Sequence, residues 1–251
     1  MQKRKKRTLL IIFILIFILA ACVLVKCAGN SSDNDKESSE KNKSEDIRQD
    51  NDDDGEEKYY KESALSQQPL PDPDDFVGKA KIGSAGGKKG IHSSKWTPRT
   101  KAPWICVARA NDPAMRLRIA KAMKQAIKLD NVKYSGKKEK RVTFYEEASD
   151  VNFDLPEVTA ECYTSCTSVA SVCLRAAGFS KKVAPKLVYS DSKSPKTNLR
   201  KHLKELDTIF TCYETEDYTA DSSRLQPGDI LFSEHHVAVV IRSENIIKLD
   251  E

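Results

Sequence analysis

Two stretches decide how this chain folds. One is Ser165-Cys166-Thr167-Ser168-Val169-Ala170-Ser171-Val172-Cys173-Leu174-Arg175-Ala176-Ala177-Gly178. The other is Leu225-Gln226-Pro227-Gly228-Asp229-Ile230-Leu231-Phe232, followed by His236-Val237-Ala238-Val239-Val240-Ile241. In the first, Cys166, Val169, Cys173 and Ala176/Ala177 share one stripe at helical spacing, and Gly178 stops the run. The second opens on a turn, Leu225 to Asp229, and continues as two strands, 229–233 and 236–242. Upstream, Asp112-Pro113 reads as a cap and first helical residue. Met115, Ile119, Met123 and Ile127 then recur at spacing four, the stripe of a helix of about four turns. Shorter helices are expected near 142–148 and 199–206, and a strand over 208–215. Helices first and strands afterwards predict an α+β domain, with N-terminal helices packed on an antiparallel sheet.

The 251 residues are 39% apolar and 31% charged, enough for one or two domains with a core. Seven Cys are too few for a disulfide-stapled mini-protein, and ten Gly with ten Pro exclude a collagen-like chain. The net charge of +5 hides an asymmetry: residues 1–76 carry 12 basic and 16 acidic side chains, and 77–251 carry 30 and 21. The sequence therefore divides into an apolar head (1–27), an acidic linker expected to be disordered (28–78) and a basic domain (79–251).

In the head, Lys3-Arg4-Lys5-Lys6-Arg7 precedes seventeen uncharged residues, Leu9 to Val25. At about 1.5 Å per residue these make roughly 25 Å of helix, close to a hydrocarbon core once flanking Lys and Arg snorkel. Basic residues stay cytoplasmic, so the expectation is a single-pass membrane anchor with the domain outside. Leu19-Ala20-Ala21-Cys22 also fits a lipoprotein signal acylated on Cys22. In the linker, Asp50 to Gly55 looks like the start of a calcium loop, but the twelfth position is Lys61 where a bidentate Glu is needed. The Gly-rich stretch from Gly78 to Gly90 has no Walker pattern and reads as a flexible basic strap.

Chemistry is expected at Cys166 and His236. A thiol at a helix start sits where unpaired N–H groups favour negative charge and can receive an oxyanion. A histidine at the mouth of an apolar strand beside that helix end would complete a nucleophile–base pair. Cys166 as an inert buried thiol, a Cys162–Cys166 disulfide, and a zinc site from Cys162, Cys166, His235 and His236 are the competing readings. The zinc reading is disfavoured because adjacent strand residues face opposite ways.

The Ser165–Gly178 helix and the Leu225–Val239 strands resemble the nucleophile helix and base strand of NlpC-type cell-wall cysteine peptidases. Lys81 to Ala85 and Asn111 to Tyr134 are similar to clostridial and phage wall hydrolases of this kind. The resemblance implies a papain-like fold and hydrolysis of a peptide or amide bond in peptidoglycan, with Cys166 as nucleophile and His236 as base. It implies no cofactor and no metal. Peptidoglycan and the membrane are the expected partners, and nucleic acid is not one. Two departures stand out. Ser165 replaces the usual Asp, and counting on to the imidazole-orienting residue gives Lys248, with Asn245 or Asp250 nearby. The alternative is a wall-binding or scaffold module of the same fold that has lost activity.

Overall fold

The computed structural model describes residues 59–189, 198–245 and 249. The head, the acidic stretch up to residue 58, Lys248 and Asp250 lie outside the described residues, as do the anchor and acylation expectations. Among the described residues no helix is long and apolar enough to cross a membrane.

The strands are β1 (Lys81–Ala85), β2 (Ile91–Lys95), β3 (Cys106–Ala110), β4 (Val132–Tyr134), β5 (Cys162–Thr164), β6 (Phe210–Tyr213), β7 (Ile230–Phe232) and β8 (Val237–Arg242). The helices are α1 (Pro113–Ala126), α2 (Thr143–Asp150), α3 (Cys166–Ala177), α4 (Leu199–Glu205) and α5 (Glu216–Thr219). Six strands form one fully antiparallel sheet in the order β2-β1-β8-β7-β3-β6, and β4 pairs with β5 in parallel. The fold is α+β, as expected, with α1 and α3 packed together across one face of the sheet.

The order of elements differs from the expectation. Three strands precede α1, and the Gly-rich strap is the β1–β2 hairpin. Its residues, Lys-Ile-Gly-Ser-Ala and Ile-His-Ser-Ser-Lys, carry little apolar pattern: β1 is buried by its neighbours, and β2 is an edge strand with Ile91 buried and Ser93 to Lys95 exposed. Gly83 shows how. A Cβ there would lie 2.4 Å from Met123 Cγ, so β1 presses its bare backbone onto α1. The expected linker boundary at 78 also falls inside packed chain. Leu65 and Phe76 are buried, Ser63 Oγ donates to Ala176 O at 2.6 Å, and Tyr60 stacks on Phe179. Single hydrophobes set among acidic residues gave no periodic signal for this clasp.

The central strands β3, β7 and β8 are buried on both faces. Val237, Val239 and Ile241 enter the core beneath α1 and α3, while Ala238 and Val240 join a second cluster with Ile82, Trp104, Val107, Leu225 and Leu231. The turn before β7 is fixed by a buried ion pair. Arg109 donates to both oxygens of Asp229, at 2.8 and 2.7 Å, and Gln226 N–H adds a third bond at 2.8 Å. Gly228 has φ +87, and a Cβ there would lie 2.2 Å from Arg116 O, so the turn accepts only glycine. Burial pushes the Asp229 carboxyl up, and the Arg109 guanidinium pulls it back down.

Candidate active site

Cys166 is the first residue of α3. Ser165 caps the helix, its Oγ accepting from Ser168 N–H at 3.2 Å. Serine caps as well as aspartate, so the Ser165 departure leaves the helix start intact. The N–H groups of Cys166 and Thr167 open the helix, where geometry offers no intrahelical acceptor. The thiol is 9% exposed, and its polar neighbour is Thr167 Oγ1 at 3.8 Å. All five described cysteines are free. Burial pushes Cys162 up to about 12 and Cys173 upward too, so both remain thiols at neutral pH. Cys106 and Cys212, on neighbouring strands, share a hydrogen bond that pushes Cys106 up and Cys212 down.

His236 sits just before β8. Ser233 N–H donates to His236 O at 2.9 Å, which closes a tight hairpin with Glu234 and His235 at its tip. The ring follows Ala238 and Val240, not Val237. Its centroid is 6.1 Å from the Trp104 ring, and it lines a cleft of about 210 Å³ with Ile82, Ser94, Thr97, Arg99 and Trp104. Burial pushes His236 down to about 4, and Arg99 and His92 add to the effect. The imidazole is therefore neutral at pH 7.

These placements bring His236 together with Trp104, Arg99 and His92, on the face of the sheet away from α3. Cys166 belongs to the core cluster on the helix side, and no hydrogen bond joins the two side chains. His235 is 73% exposed at the hairpin tip, 3.5 Å from Glu234. The weighed zinc set is not gathered: among the described residues no cluster of three or more His, Cys, Asp or Glu is poised for a metal. Asn245, one candidate to orient the imidazole, lies beyond the far end of β8 and donates from Nδ2 to Leu225 O at 2.9 Å and to Ser223 O. Sequence reasoning passed over Arg99 and Trp104 and took His92 for a surface residue. The signal was present in Trp96-Thr97-Pro98-Arg99-Thr100-Lys101-Ala102-Pro103-Trp104, where basic residues are framed by two tryptophans.

No curated protein and no solved structure matches the chain. Residues 74–246 match the endolysin-like domain family. That span runs from the turn before β1 past the end of β8, and it takes in Cys166, His236 and the cleft. Such a domain has a peptidoglycan-related lytic function, the activity of a cell-wall hydrolase. With more than half of its length matched, the chain belongs to the endolysin-like domain family.

Proposed function

We propose that the chain is a membrane-tethered, extracytoplasmic cysteine peptidase of papain-like fold that cleaves a stem-peptide bond in peptidoglycan. The observation that carries the reading is a free thiol opening α3, in a chain of the endolysin-like family, packed against the sheet whose strand β8 directly follows His236. Cys166 Sγ attacks the carbonyl carbon, and the first N–H groups of α3 receive the oxyanion. His236 takes the thiol proton and returns it to the leaving amine as the C–N bond breaks. Water then hydrolyses the thioester and regenerates the thiol. The tether reading rests on the basic cluster and the uncharged run Leu9–Val25.

Proton transfer requires the His236 imidazole to come within hydrogen-bond reach of Cys166 Sγ. The test is hydrolysis of purified peptidoglycan, with fragments identified by mass. Cys166→Ala and His236→Ala each abolish fragment release, while Cys173→Ala retains it. Undiminished release by Cys166→Ala overturns the mechanism. The seating of the His236 ring against Trp104, with no hydrogen bond to Cys166, favours a second reading, a wall-binding module without catalysis. That reading is upheld if the unmodified protein binds peptidoglycan, releases no fragments and leaves Cys166 inert to iodoacetamide.

A further inference from the structure

The cleft on the face of the sheet away from α1 and α3 has a wall and, in Arg99, a charge that no carboxylate among the described residues pairs with. Arg99 lies over the Trp104 ring at 5.1 Å and donates from one terminal nitrogen to Ser233 Oγ at 3.3 Å. The tryptophan takes a face of the guanidinium and the serine takes one N–H, so other edge donors are left without an acceptor among the described residues. Among the described residues no carboxylate pairs with Arg99, nor with Lys95 at the cleft's edge. The His236 ring faces the same space, with no hydrogen-bond partner among the described residues. The groups around it are Arg99 from the 96–105 loop, His92 and Lys95 from β2, and the Glu234–His235 pair at the hairpin tip. Ser94 and Thr97 add hydroxyls, and Ile82 adds an apolar floor.

We infer that this cleft binds the free carboxylate at the end of a short peptide, with Arg99 as the pairing residue and Trp104 as the wall. At about 210 Å³ the space suits a chain end, not a nucleotide or a disaccharide. A planar guanidinium offers two coplanar donors, the geometry a carboxylate matches. A phosphate on a wall polymer shares the negative charge, so the experiment separates the two. The assignment takes its peptide from the hydrolase reading, yet binding is measured without turnover.

The test uses the full chain carrying Cys166→Ala, so no ligand is consumed. The probes are N-acetyl-D-alanyl-D-alanine, its C-terminal amide and glycerol 1-phosphate. Binding is followed by imidazole NMR, the chain having only four histidines. The acid binds about tenfold or more tightly than the amide or the phosphate ester, in keeping with one charge-assisted pair. It shifts the His236 ring signals while His202 stays still, and it raises the His236 midpoint from about 4. Arg99→Gln removes the preference for the acid, and Arg99→Lys keeps part of it. Equal binding of acid and amide, an unmoved His236, or preference for glycerol phosphate overturns the inference. Retained binding by Cys166→Ala, alongside wall hydrolysis that does not depend on Cys166, overturns only the catalytic reading.

Discussion

Asp229→Ala removes the anion that fixes the turn ahead of β7, and its cost follows from the contacts it breaks. Asp229 is fully buried and accepts three hydrogen bonds, two from Arg109 at 2.8 and 2.7 Å and one from Gln226 N–H at 2.8 Å. Without it the Arg109 guanidinium stays buried with one remaining acceptor, Arg224 O at 2.7 Å, beside the stacked rings of Tyr213 and Tyr218. Breaking one side of a buried pair costs about 3–5 kcal/mol. That is a large share of the roughly 5–15 kcal/mol that holds a domain together. In a domain of this size it lowers Tm by about 6–20 °C. Asp229→Asn costs less, because the amide oxygen still accepts one of these bonds. The double variant Arg109→Met, Asp229→Leu recovers most of the loss, because no unpaired charge is left behind. Thermal and urea unfolding followed by circular dichroism measures all three. The reasoning fails if Asp229→Ala costs under about 1 kcal/mol, or if the double variant is as unstable as the two single losses added together.

Two further outcomes follow from the same contacts. His236 is pushed from 6.5 to about 4, so between those values the unfolded chain binds the extra proton and stability rises with pH. The penalty is fully present below pH 4 and absent above about 7. The unscreened shift corresponds to roughly 3 kcal/mol, and partial exposure of the ring reduces this to about 1–2 kcal/mol. Urea midpoints at pH 4.5 and 7.5 should therefore differ by more in the parent protein than in His236→Gln, and equal differences would contradict the shift. Gly83→Ala places a methyl against Met123 Cγ, Met123 Sδ and Ile127 Cδ1, all within 3 Å of it, in a core where Met123 has no room to retreat. The expected loss is about 1–3 kcal/mol by thermal unfolding, and an unchanged Tm would show that α1 shifts freely.

The helices were legible because each carries a one-sided apolar stripe between a cap and a stop. The stripe Met115–Ile119–Met123 and the Ser165 to Gly178 segment gave α1 and α3 almost to the residue. The turn at Leu225–Asp229 gave β7, and the apolar run gave β8. Strand β1 was hidden because its burial comes from α1 and β8 and is not written in its own side chains, and β2 because it is an edge strand exposed beyond Ile91. The direction of His236 was hidden for a different reason. Alternation tells a buried face from a wet one, but β8 is apolar at Val237, Ala238, Val239 and Val240 alike, since both of its faces are covered. A period of two then carries no information about which side faces α3. Placing Cys166 at the start of α3 needed only local sequence, whereas placing His236 in the cleft needed Trp104 and Arg99, which come from a loop 130 residues earlier in the chain.

The pairing of β1 with β8 also sets the order in which the molecule can assemble. Gly83 sits beside Val239, and Ser84 Oγ donates to Val237 O across 153 residues of sequence. The first hairpin can form early, but its inner edge has no companion until the last strand arrives. Sheet closure is thus the late, slow event, delayed by the long loop it must tie off. Until then β1 exposes a row of unpaired amides that another chain could capture. A product ending before residue 237 would keep both helices and most of the core, yet it would aggregate through that edge.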